Sequence, residues 1–141
     1  MLVLDASVLA NVIGDDGADG ARGRAAIASH ADLAIPDLAK LEVVAVLRKR
    51  WLAGDLDDKR FRDAVDDLAA FGLHRYPSVD LLGRVYELRR NLSAYDAAYV
   101  ALAETLGWPL LTADARLARA SGPTCEIIVV RPVPAVAGRA E

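Results

Sequence analysis

MLVLDASVLA, residues 1–10, is the stretch whose reading decides the fold. Leu2, Val3 and Leu4 form an apolar run that stops at Asp5, and Val8, Leu9 and Ala10 resume it directly after Ser7. A short apolar run cut by polar residues reads as a buried strand followed by a helix start. Asp5 then stands at the carboxyl end of a central strand, the edge at which open α/β sheets bind ligands. Asp5 and Ser7 are also ordinary helix-capping residues, so this stretch alone leaves capping and chemistry both open.

The same pattern returns near the end of the chain. Leu110-Leu111-Thr112 is an apolar strand, and Asp114 follows it to open the short helix ARLARAS. Further strands are expected at Leu33-Ala34-Ile35, stopped by Pro36, at Leu73 to Tyr76, and at Glu126 to Val130. Helices fill the gaps. One covers the Ala-rich Ala21 to Ala31. A second, capped by Asp37, runs to Gly54 with Leu38, Leu41, Ala45 and Leu52 as its apolar stripe, widened by Val44 and Leu47. A third starts at Asp57-Asp58 and carries Phe61, Val65, Leu68 and Phe71, and a fourth is capped by Ser78. A strongly apolar helix begins at Ser93 and closes at Gly107. Gly14 to Arg24, GDDGADGARGR, is expected to be a surface connection; it lacks the Gly-Lys-Ser/Thr of a phosphate loop and the ligand spacing of a calcium loop. Strands alternating with helices predict an α/β fold with a mostly parallel sheet covered on both faces.

The length of 141 residues suits one domain, and 54% apolar residues suffice for its core. No apolar stretch reaches the ~20 residues of a membrane span, and Met1 leads straight into a strand without a secretory leader, so a cytoplasmic location is expected. Cys125 is the only cysteine, which excludes an internal disulfide and a multi-cysteine zinc site. His30 and His74 have no ligand spacing and read as surface histidines. A net charge of −3 argues against a domain that coats nucleic acid by bulk positive charge. It does not exclude a nuclease, because acids gathered in one site bias the total and bound cations invert the local field.

Four carboxylates have addresses that point to chemistry. Asp5 and Asp114 follow buried strands, Asp96 lies in the first turn of the apolar helix, and Glu42 lies one turn into another helix. Each has a structural excuse: Asp5 and Asp114 as caps, Ser93 and Asp96 as a capping box, Glu42 as a partly exposed helix residue. All four could nevertheless face one crevice. Carboxylates held together resist ionising unless cations intervene, and hard oxygen ligands suit Mg2+ or Mn2+. Such a site hydrolyses phosphodiesters without a catalytic His, Cys or Lys. Arg48, Lys49 and Arg50 form the densest basic cluster, usable for the helix dipole or for a phosphate contact.

VLDASVLAN, SAYDAAYVALAE and LLTADARLA, in that order, resemble the signatures of PIN-domain ribonucleases, and among them are most similar to VapC toxins of type II toxin–antitoxin pairs. The resemblance extends over nearly the whole chain. It implies a PIN-like three-layer α/β/α sandwich over residues 1–131, with 132–141 as a loose tail. It also implies that Asp5, Glu42, Asp96 and Asp114 are the catalytic, metal-binding quartet, supported by the hydroxyls of Ser7 and Thr112. The implied activity is a Mg2+-dependent endoribonuclease (Mn2+ serving as well) that cuts structured RNA by two-metal-type hydrolysis. The implied partners are RNA, an inhibitory VapB-type antitoxin and a second copy of the chain. Leu117 stands where some relatives carry a further acid, so no fifth ligand is implied.

Other α/β enzymes fit less well. A haloacid-dehalogenase-like phosphatase needs a second Asp where Ser7 stands, and a response-regulator receiver needs a Lys after a late strand, whereas Lys40, Lys49 and Lys59 all lie early. The remaining alternative is a catalytically silent PIN-like module that binds a protein partner.

Overall fold

The computed structural model describes residues 1–130. The expected loose tail, 132–141, lies outside the described residues. Five short strands form one sheet in the order β3-β2-β1-β4-β5, and every neighbouring pair is parallel. They are β1 (Leu2–Leu4), β2 (Leu33–Pro36), β3 (His74–Tyr76), β4 (Leu110–Thr112) and β5 (Ile127–Val129). β1, β2 and β4 are buried along their whole length, as the uninterrupted apolar runs require of strands covered on both faces.

Among the described residues seven α-helices complete a three-layer α/β/α sandwich: α1 (Ala6–Gly14), α2 (Ala18–Ile27), α3 (Ala39–Leu52), α4 (Asp58–Ala70), α5 (Leu82–Glu87), α6 (Ala94–Leu106) and α7 (Ala115–Arg119). α1 packs against α2, α3 and α4, while α6 lies on β1, β2 and β4 and against α5. The chain runs outward from β1 through β2 to β3, crosses back to β4 beside β1, and ends at β5. The direction of winding therefore reverses between β1 and β4. In a parallel sheet that reversal opens a crevice beyond the strands' carboxyl ends.

Local readings changed in three places. The glycine-rich 14–24 stretch is mostly helix: only residues 15–17 connect α1 to α2. Its glycines are points of close approach, since a Cβ on Gly20 would lie 1.8 Å from the Asp15 carbonyl oxygen and one on Gly23 would lie 3.0 Å from Val12. Asp37 does not cap α3, which starts after Leu38 without a side-chain cap; it accepts instead from the Ser78 backbone N–H (3.1 Å) and hydroxyl. Ser78 is thereby committed to Asp37 and caps no helix. The third change concerns the face of α3. Ala39, Val43 and Leu47 are buried, whereas Leu38, Leu41 and Leu52 are 53%, 71% and 59% exposed. Both stripes have helical spacing, and periodicity alone does not say which one meets the core.

Candidate active site

Each acid reaches the site from a different element. Asp5 leaves β1 still bonded to the sheet, its N–H donating to the Leu111 carbonyl at 3.2 Å. Its side chain is 5% exposed and accepts three hydrogen bonds: from the Ser7 hydroxyl (2.6 Å), the Val8 N–H (3.1 Å) and the Thr112 hydroxyl. The Val8 bond is the N-cap of α1, so Asp5 caps its helix and faces the crevice at once. Burial pushes its carboxyl above the usual range, opposed by the bonds from Ser7, Thr112 and Val8, with the Asp96 charge adding to the rise.

The two hydroxyls bind β1 and β4 together at their ends. Ser7 Oγ accepts from the Ala113 N–H at 3.1 Å, and Thr112 Oγ1 accepts from the Asp114 N–H at 3.0 Å. Thr112 is fully buried, which fixes the Asp5 carboxylate against rotation. Asp114 caps α7 by accepting from the Arg116 N–H (2.9 Å) and pairs with its guanidinium (3.1 Å). That pairing holds the Asp114 carboxyl below the usual range. The Arg116 side chain is 84% exposed, so the pair is screened and weak.

Asp96 lies in the first turn of α6, and Ser93 Oγ accepts from its backbone N–H at 3.2 Å. This half of the capping box uses the Asp96 backbone, not its carboxylate. Burial raises the carboxyl, the Ser93 hydroxyl lowers it and the Asp114 charge raises it. Glu42, in the first turn of α3, is half-buried; its Oε2 accepts from the Tyr99 hydroxyl at 2.6 Å. Burial again raises this carboxyl, Tyr99 lowers it, and the charges of Asp96 and Asp5 raise it.

All four acids border one cleft of about 410 Å³ together with Ser7, Asn11, Arg50 and Tyr99. Thr112 stands behind Asp5 rather than in the cleft wall. Asp19 of α2 also borders it. Three residues here received no role from the sequence alone. Tyr99 follows Asp96 by three positions, Asn11 follows Ser7 by four, and helical spacing puts each pair on one face. Asp19 lies in the glycine-rich stretch that composition alone reads as a surface connection, and it stands in the first turn of α2.

The donors are all hard oxygens, which fits Mg2+ or Mn2+ better than softer metals. Among the described residues no three His, Cys, Asp or Glu side chains stand together as a finished metal cage. The carboxylates share the cleft without converging, and Asp114 is turned onto Arg116. The donor set therefore fits a divalent ion in type and address.

A parallel α/β sandwich with an acidic cleft at its β1/β4 switch point places the chain among the doubly wound α/β proteins, and comparison narrows the class. The PIN domain family model matches residues 2–123. Over 130 residues, 92% of this chain and 98% of the relative, the chain is 39% identical to VapC ribonuclease Mb0985 of Mycobacterium bovis. It is 38% identical to Ribonuclease VapC1 of Mycobacterium tuberculosis, again over 130 residues, covering 92% of this chain and 97% of that one. The crystal structure of PAE2754 from Pyrobaculum aerophilum matches with a TM-score of 0.62 at 27% identity, covering 89% of each chain. VapBC2 from Rickettsia felis, bound to a DNA fragment from their promoter, shares the fold with a TM-score of 0.64 at 14% identity, over 91% of this chain and 97% of that chain. The chain belongs to the PIN-domain family, among the VapC ribonucleases.

Proposed function

We propose that this chain is the toxin of a type II toxin–antitoxin pair, a cytoplasmic Mg2+-dependent endoribonuclease that cuts structured RNA by two-metal-type hydrolysis and is restrained by a VapB-type antitoxin. The observation that carries the reading is the meeting of Asp5, Glu42, Asp96 and Asp114 in one cleft from four separate elements. Each has its own local use, and caps alone give no reason for all four to meet.

In this reading Asp5, Asp96 and Asp114 hold the divalent ion, Glu42 completes the site, and Mn2+ can replace Mg2+. The ion, when bound, neutralises the carboxylates, acidifies a water and stabilises charge on the phosphate. The protein's part is preorganisation. Ser7 and Thr112 fix both oxygens of Asp5. Tyr99 holds Glu42 by Oε2, which leaves Oε1 to orient a water and accept its proton. Burial raises the Glu42 carboxyl above the usual carboxylate range.

Two surface features support the partners. Leu38, Leu82 and Tyr95 flank an apolar groove that shares Glu42 and Tyr99 with the cleft, and Leu41 and Tyr86 are exposed large apolar residues on the same helices. Such a face suits a second copy of the chain. The cleft's carboxylates suit a basic side chain inserted by an antitoxin. Relatives carrying the VapC name are ribonucleases, and the Rickettsia felis complex pairs such a protein with VapB.

The test is cleavage of total cellular RNA by the purified chain, with Asp114→Asn as control because Asn retains the cap of α7. Cleavage is expected with Mg2+ or Mn2+, none in EDTA, and a loss of orders of magnitude in the variant. A folded protein that leaves RNA intact in both metals, yet captures its antitoxin, would establish the silent binding module instead.

A further inference from the structure

We propose that Arg50, steered by Asn11, forms a phosphate-binding subsite for the RNA strand at the end of the cleft away from Glu42. The inference rests on the reading of the chain as an RNA-cutting enzyme.

Glu42, Val46 and Arg50 recur every four residues along α3, and all three border the cleft. Eight residues of helix place Arg50 about 12 Å beyond Glu42. Ser7 and Asn11 repeat the same spacing on α1. The two helices thus form a trough that starts at the carboxylates and ends at Asn11 and Arg50. A neighbouring cavity of about 650 Å³ shares Asn11, Asp19 and Arg50; Asp15, Asp16, Asp55 and Asp57 also line it, so the strand's path ends at Arg50 and does not extend into it.

Among the described residues, Arg50 is the one Lys or Arg that borders the cleft, against five carboxylates including Asp19. It pairs with none of them. Its Nη2 donates to Asn11 Oδ1 at 2.6 Å, and its Nη1 is shielded from solvent without a hydrogen-bond partner. The neighbouring cations are committed elsewhere. Arg24 donates to the Val12 and Asp15 carbonyls, and Arg60 to the Ile13 carbonyl and the Asp16 carboxylate.

A shielded cationic N–H with no partner is an unfavourable arrangement. A small rotation of the guanidinium into the trough, toward a phosphate oxygen, would satisfy it with a charge-assisted bond. Asn11 offers a neutral anchor and no carboxylate pairs directly with Arg50, so the guanidinium can turn to an anion that enters the cleft. The spacing from Glu42 assigns that anion to a phosphate further along the strand, not to the one being cut. Such a contact sets the strand's register and polarity without reading its bases.

The experiment measures binding of a fluorescein-labelled single-stranded RNA over a salt series, in the Asp114→Asn background so that the probe is not cut. Arg50→Gln is expected to weaken binding about tenfold at low salt and to make the slope of log K against log salt shallower by about 0.7, one single-strand phosphate contact. Arg50→Lys is expected to keep the slope while losing part of the affinity, because it keeps the charge without the fork. Asn11→Ala keeps the guanidinium, so the slope stays and the affinity falls less than in Arg50→Gln. Thermal melting checks each fold, and Arg50→Lys carries the comparison should Arg50→Gln not fold. Unchanged affinity and slope in folded Arg50→Gln, or unchanged affinity in Arg50→Lys, would overturn the subsite and leave Arg50 as a bridge between α1 and α3. A parent protein that neither binds nor cuts RNA would overturn the proposed function instead.

Discussion

Replacing Tyr99 with Phe isolates one bond that organises the site. The ring is 2% exposed and stays packed, while the hydroxyl that donates to Glu42 Oε2 at 2.6 Å is lost. Hydrogen bonds to charged groups contribute about 1.5–3 kcal/mol, and the half-solvated carboxylate recovers part of this from water, so about 1–2 kcal/mol of stability is expected to go at neutral pH. With a urea m-value of about 1–3 kcal/mol/M, the midpoint moves down by roughly 0.3–2 M. The loss also depends on pH. Burial already raises the Glu42 carboxyl and Tyr99 holds it back, so the variant's carboxyl rises further. A carboxyl raised in the folded state binds protons more readily there than in the unfolded chain, and stability falls as pH rises through its folded pKa. The deficit of Tyr99→Phe is therefore largest at neutral pH and shrinks as the medium is acidified. Urea unfolding in EDTA at neutral pH and near pH 5 checks both parts. A deficit that is absent at neutral pH, or that grows on acidification, refutes the claim that Tyr99 supports an ionised Glu42.

Three further outcomes follow from the same geometry. Thr112→Val removes the donor to Asp5 and the acceptor for the Asp114 N–H inside a fully buried site, so denaturant unfolding should show a loss of about 1–3 kcal/mol, again smaller at low pH because Thr112 lowers the Asp5 carboxyl. Gly107 closes α6 at φ 69° with open space around it, so Gly107→Ala should cost about 1 kcal/mol of stability by backbone strain alone and leave RNA cleavage untouched. Leu41→Lys places a charge on an exposed apolar face of α3; if the proposed homodimer uses that face, sedimentation should show it weakened while the monomer melts as before.

Much of the sheet was legible because buried parallel strands are written as bare apolar runs. Asp5 follows Leu2–Leu4 at once and Asp114 follows Leu110–Thr112 two residues on, and that repetition marks the carboxyl ends of two neighbouring strands. Asp5 and Asp114 were ambiguous between cap and site because they are both: each bonds the first turn of its helix and borders the cleft. Asp96 is different, since the capping bond uses its backbone N–H. The glycines of 14–24 misled because glycine marks turns and tight helix contacts with the same letter, and only tertiary packing separates them. The apolar stripe of α3 misled for a related reason: with apolar residues on two faces, the core takes the one that the neighbouring α1 and α4 cover. Tyr99 and Asn11 were readable in principle from their spacing to Asp96 and Ser7. Their partners, Glu42 and Arg50, come from far along the chain, and no local pattern announces such pairs.

The central claim is that Asp96 belongs to a carboxylate cluster built for a divalent ion, and melting of wild type and Asp96→Asn, first in EDTA and then with Mg2+ or Mn2+, tests it most directly. Ser93 still caps α6 in the variant, so the lost charge near the helix start costs at most about 0.3–1 kcal/mol. Removing a raised, half-buried carboxylate beside Asp5, Glu42 and Asp114 relieves repulsion in the opposite sense. The expected result is a variant that melts at or above wild type in EDTA. Wild type then gains stability from added metal, about 2.7 kcal/mol when the ion is at a hundred times its Kd, and the variant gains much less. A variant that melts below wild type in EDTA and keeps the full response to metal would contradict the account and leave Asp96 as a helix residue with no share in the site.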